Sequence, residues 1–169
     1  PGADPPAPAA HAPAARAASD VADAAMQGNV AAVRALIAKK ADVNAPQGDG
    51  ATALHWAAFK GHVEMATVLM RAGASPKAAN REGVTPLWLA SVNGDATMIR
   101  ALIEGGADAN ETLPLGRTPL MLAARTGNIE AMKALLDNGA DANAKETLRG
   151  TTAMMWAADE GHAAAIQLL

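Results

Sequence analysis

Apolar residues recur along the chain in short bursts separated by polar loops. The stretch "GRTPLMLAARTGN", Gly116 to Asn128, sets Leu120, Leu122, Ala123 and Ala124 between polar flanks. Thr118 is placed to cap a helix by accepting a free backbone N–H, and Pro119 suits the first helical position, where no N–H is needed. Gly127 ends the helix by taking a left-handed conformation at little steric cost. In "NIEAMKALLDNGADAN", Ile129, Met132, Leu135 and Leu136 fall at i, i+3, i+6 and i+7, which predicts a second helix stopped at Gly139. A loop comes next, with Asn143 able to close an Asx turn. Isolated helices below about 12 to 15 residues are marginal in water. Each burst therefore needs a neighbour.

Sliding the segment along the chain supplies one. "GATALHWAAFKGH", "GVTPLWLASVNGD" and "GTTAMMWAADEGH" start at Gly50, Gly83 and Gly150, and Thr52, Thr85, Thr118 and Thr152 are spaced by 33, 33 and 34 residues. Stepping back by 33 from Thr52 reaches Ser19 and "SDVADAAMQGN", and Gly28, Gly61, Gly94, Gly127 and Gly161 keep the same beat. Five copies are expected, at 19–51, 52–84, 85–117, 118–151 and 152–169, the first degenerate and the last incomplete. With Gly161 aligned on Gly127, Leu169 falls opposite Leu135, so the last stops inside its second helix, before the Leu-Leu pair and closing Gly are complete.

This unit of helix, tight turn, helix and loop resembles the ankyrin repeat, whose period is 33 and whose signature is T-P-L-H-x-A. "TALHWA" at Thr52 to Ala57 carries Ala for Pro, while "TPLWLA" and "TPLMLA" at Thr85 and Thr118 keep the Pro and lose the His. "GADAN" at Gly106 and Gly139 is similar to the family's turn after the second helix. The resemblance covers residues 19–169. It implies an all-α solenoid of stacked helix-turn-helix units with protruding loops.

Composition fits such thin helical layers. Half the residues are hydrophobic, yet only 2% are aromatic, with one Phe and no Tyr. A net charge of −3 leaves no basic footprint for nucleic acid, and no apolar run is long enough to span a bilayer. Residues 1–18, "PGADPPAPAAHAPAARAA", lack large apolar side chains and read as a flexible linker. A stub of this kind, starting without Met, is typical of a chain from which an export signal has been cleaved. An exported or periplasmic bacterial protein is thus slightly favoured over a cytoplasmic one, and an arbitrary start of the chain accounts for it equally well.

Chemistry is sparse. His55, His62 and His162 occupy repeat positions that call for polar groups bonded to turn backbone, and His11 lies in the linker. No H-E-x-x-H, cysteine pair or phosphate-cradling Gly loop is present. No catalytic group, metal site, cofactor or small-molecule substrate is expected. The sequon "NET" at Asn110 is a short motif of the kind that recurs by chance.

Function is then expected where stacking does not dictate residue type. The resemblance implies a concave face of loop tips and first-helix ends that binds a partner protein. Its helix-end series is Met26, Phe59, Val92, Arg125 and Asp159, beside Gln27, Lys60, Asn93, Thr126 and Glu160. Exposed apolar groups rimmed by polar ones mark interaction sites, although Phe59 could instead fold back onto its own helix. In "NETLPLGRT", Leu113, Pro114 and Leu115 occupy a tip that favours small polar residues. Leu115 and Arg117 are candidate contacts there, unless adjacent tips cover each other's leucines. Trp56 and Trp156 share one repeat position and read as interlayer packing, whereas Trp88 replaces the signature His and is expected to be partly exposed. The partner-binding candidates are Met26, Phe59, Lys60, Trp88, Val92, Asn93, Leu115, Arg117, Arg125 and Asp159. A structural spacer, or part of a longer solenoid stacked through its C-terminal end, is the alternative.

Three irregularities bear on the loops. Lys40 stands where later copies have the turn Gly, which requires a strained left-handed Lys or a different closure. "GASPK" replaces "GADAN" after the second copy and predicts a differently shaped loop. An extra residue lengthens the loop before Thr152.

Overall fold

The computed structural model describes residues 20–169. The linker 1–18, and Ser19 at the start of the first copy, lie outside the described residues. Ten α-helices are present among those residues: α1 Asp20–Met26, α2 Val30–Ala38, α3 Ala53–Phe59, α4 Val63–Arg71, α5 Pro86–Asn93, α6 Ala96–Glu104, α7 Pro119–Thr126, α8 Ile129–Leu136, α9 Ala153–Asp159 and α10 Ala163–Leu168. A 3₁₀ turn spans Pro114–Gly116. The helices pair consecutively, and each pair packs on the next through first helix on first helix and second on second.

The start and stop signals act as their chemistry dictates. Thr85 and Thr118 accept the N–H groups of Trp88 and Met121, with Pro86 and Pro119 opening the helices behind them. Gly94 and Gly127 close the same helices at φ +66° and +67°. At Gly127 a Cβ would also lie 2.6 Å from His162, so glycine is required there by space as well as by conformation.

Burial follows the period. Leu54, Leu87 and Leu120 share one position and are fully buried, each contributing about 1.5–3 kcal/mol by removal from water. Val21 takes that position in α1 and is buried as well, whereas Met154 in α9 is 42% exposed. Alanines 57, 58, 90, 123 and 124 leave the first helices room to approach. In α8, Met132 and Leu135 are buried, and Ile129 and Leu136 pack half-buried against the same core.

The irregular loops resolve individually. Lys40 takes the strained option, at φ +60°. The Asx turn after the second helix is closed by the aspartate rather than the asparagine: Asp42, Asp108 and Asp141 accept the N–H of Asn44, Asn110 and Asn143. The asparagines are thereby freed to bridge forward. Asn44 Nδ2 donates to Gly73 O and its Oδ1 accepts Ser75 N–H, and Asn110 does the same to Gly139 O and Asp141 N–H. The sequon asparagine is thus committed to the stack. In "GASPK", Ala78 N–H still reaches Ser75 O, as Ala45 reaches Asp42 O and Ala144 reaches Asp141 O, so the turn keeps this backbone bond but has neither the aspartate of the Asx closure nor the asparagine of the bridge.

Candidate functional site

Four loop tips project beside the first helices. They close through Gln47 N–H to Ala51 O, Asn80 N–H to Val84 O, Leu113 N–H to Arg117 O and Glu146 N–H to Thr151 O. The fourth is one residue longer, which locates the extra residue in the tip. Neighbouring tips are joined by Arg81 N–H to Asp49 O and by Thr147 N–H to Leu115 O. Tips and first helices together form two corner cavities.

The N-terminal cavity, about 190 Å³, is lined by Asp49, Ala51, His55, Trp56, Phe59, Asn80, Val84 and Leu89. Phe59 is 53% exposed and stands edge-on to Trp56, ring centroids 6.0 Å apart. It folds partly back on its own helix and still presents a face to solvent. The Trp56 indole N–H donates to Gln47 Oε1 at 2.7 Å, and Gln47 Nε2 donates to Asp23 of the preceding helix. His55 is buried among these groups. Thr52 N–H donates to its Nδ1, which leaves Nε2–H to donate to Val84 O at 2.9 Å, and burial holds the ring below the ordinary histidine range. His55 is a neutral pin between the start of α3 and the second loop tip, consistent with a structural role.

The C-terminal cavity, about 240 Å³, is lined by Leu115, Arg117, Arg125, Glu146, Leu148, Arg149, Thr151, Trp156, Asp159 and Glu160. Trp156 repeats the tether of Trp56, its N–H donating to Thr151 Oγ1 at 2.9 Å. The Arg125 guanidinium lies over the ring, 5.9 Å from its centroid, a cation–π arrangement. Glu146 organises the fourth tip by accepting the N–H groups of Leu148, Arg149 and Thr151 and the Thr151 hydroxyl. Desolvation pushes its carboxyl up, but the four hydrogen bonds outweigh it and hold the group at about 2.

The third tip carries leucine where its neighbours have Asn80 and Glu146. Leu113 points inward and is buried, so no side chain there accepts the tip's N–H groups. As the glycines of the other tips do, Gly116 donates its N–H to the carbonyl of the tip's first residue, Leu113 O, but here Leu115 sits at φ 71°, ψ 18°. That is the left-handed region, which in a turn favours glycine. Leu115 is nevertheless 51% exposed and Leu148 70%, so the two tips leave both leucines largely uncovered.

Four of the ten candidates, Leu115, Arg117, Arg125 and Asp159, therefore meet in one cavity, and Phe59 lines the other. Met26 is 39% exposed with Gln47 Nε2 at its sulfur, Val92 and Trp88 are half-buried, and Lys60 is exposed. Asn93 is exposed too, but its amide donates to Phe59 O and ties α5 to α3. These five line neither cavity. His162 Nε2 bonds Arg125 O, the turn contact its position calls for. Sequence reasoning passed over Glu146 and Leu89. It also read Trp56 and Trp156 as packing alone, since their tethers join residues of a tip to a helix.

The family model for ankyrin repeats in three copies matches residues 21–112 and again 87–169. The chain belongs to the ankyrin-repeat family. Ankyrin repeats are generally protein–protein interaction modules, and members of the family are typically non-enzymatic. No curated protein matches the chain. Among the described residues, no helix is long and apolar enough to cross a membrane, and no group of three or more His, Asp or Glu side chains is set to hold a metal ion.

Proposed function

We propose that this ankyrin-repeat chain is a non-catalytic module that docks a partner protein on the concave face of loop tips and first helices. The observation that carries the reading is Phe59, left 53% exposed beside Trp56 at the mouth of an apolar corner. Met26 and Val92 extend the strip along the neighbouring helix ends, and Arg125 and Asp159 orient the partner. Corners of about 190 and 240 Å³ fall below the roughly 300–1,000 Å³ of small-molecule sites and suit single side chains of a protein. The opposite side carries exposed ion pairs, Arg34–Glu64, Arg100–Glu130 and Lys133–Glu130, of the kind a solvated face bears.

Phe59→Ala tests this reading. The contact with Trp56 accounts for only about 0.5–1.5 kcal/mol of stability, whereas an aromatic anchor of an interface is worth roughly 2 kcal/mol or more of binding. Affinity should therefore fall about thirtyfold with the melting curve little changed. Equal losses in both would make Phe59 a packing residue. A second reading, a spacer that stacks on further repeats or another subunit, is supported by Met154 and Met155, 42% and 49% exposed on the last helix pair.

A further inference from the structure

We infer that the C-terminal corner takes one bulky apolar side chain of a partner segment, with a carboxylate of that segment set against the arginines of the loop tips. The inference rests on the protein-binding reading and names the partner's chemistry at one end of the face.

Leu115 is the first observation. Its backbone holds a left-handed conformation that a glycine would take without strain, and its exposed side chain returns little burial. Backbone strain kept at a residue that lines a cavity points to a use outside the fold. Leu148 reaches the same cavity from the next tip and Trp156 from α9. Three elements thus contribute one apolar surface.

Charge supplies the second observation. Arg117 and Arg149 lie on the tip side of the cavity, where Glu146 is already saturated by four donors and has little left to offer them. Arg125 stacks on Trp156. None of the ion pairs among the described residues uses any of these three arginines. Arg117 spends its Nε–H on Pro114 O, which fixes the side chain and leaves the terminal nitrogens for a ligand. Asp159 and Glu160 make the helix-end wall acidic. A partner carboxylate is thereby directed to the tips and a partner cation to the helix end, with the apolar side chain between them. A polyanion would meet that acidic wall.

Panning a displayed library of linear random peptides on the full chain tests the inference. The enriched sequences should share a Leu, Ile, Met or Phe beside an Asp or Glu. A synthetic peptide from that set should bind at least tenfold more weakly to Leu115→Gly, whose melting temperature should not fall because glycine suits the backbone. Arg149→Glu should shift the selected charge from acidic to basic. No enrichment, enrichment without the apolar–acidic pairing, or undiminished affinity for Leu115→Gly overturns the inference. A protein ligand that depends on Phe59 and Val92 but not on Leu115 overturns it while leaving the concave-face reading standing. Binding indifferent to all three residues removes both.

Discussion

Two non-glycine residues with positive φ, Lys40 and Leu115, separate strain that is tolerated from strain that is used. Lys40 occupies the turn that Gly73, Gly106 and Gly139 close at φ +95°, +104° and +84°, and its side chain lines neither corner of the concave face. A left-handed residue costs about 1–2 kcal/mol, against roughly 0.5–1 kcal/mol for the added chain entropy of glycine. Lys40→Gly should raise stability by about 0.5 kcal/mol in urea unfolding; a loss would mean that the lysine makes a compensating contact. Glu146 acts through protonation. Its folded value of about 2 lies below the ordinary 4.5, so its stabilising effect is complete above 4.5 and is lost as pH falls toward 2. Glu146→Gln should therefore be less stable than the parent at pH 7, with the difference shrinking between pH 4.5 and 2. A difference that does not change with pH would contradict the hydrogen-bonded carboxylate.

At the scale of elements, the repeats are sewn together by side chains that reach into the next copy. Asn44 and Asn110 each make two bonds forward, and the copy between them has Lys77 at the equivalent place. A lysine can donate to the Gly106 carbonyl but cannot accept the Asp108 N–H. Lys77→Asn should restore the bridge and raise stability by about 1 kcal/mol, at roughly 0.5–1.5 kcal/mol for a net hydrogen bond. An unchanged urea midpoint would show that the bridge forms without net gain. These bridges mark the limit of what the chain discloses when read as a string. Thr118, Pro119 and Gly127 act within a few residues of themselves, so the helices they bound are legible. Asn143 reads as closing a turn of its own because the forward partner of its equivalents lies about 30 residues away. The Trp56–Gln47–Asp23 chain is hidden for the same reason. Leu115 is legible as an anomalous leucine in a turn, but its left-handed backbone is not.

At the scale of the molecule, stacking makes stability a sum over repeats and their interfaces, and it leaves two unlike faces. One bears exposed ion pairs, each worth only about 0.2–1 kcal/mol. The other gathers Trp56, Phe59, Leu89, Leu115, Leu148 and Trp156 along two corners, with both indoles tethered so that the rings are set before any partner arrives. Preorganisation of that kind lowers the entropic cost of docking. The most direct test is capture from an extract of the cells that make the protein, using the parent chain as one bait and a Phe59→Asp, Val92→Asp double variant with unchanged melting as the other. The account predicts a protein retained by the parent and lost by the variant. The same protein on both baits, or none on either, would contradict it.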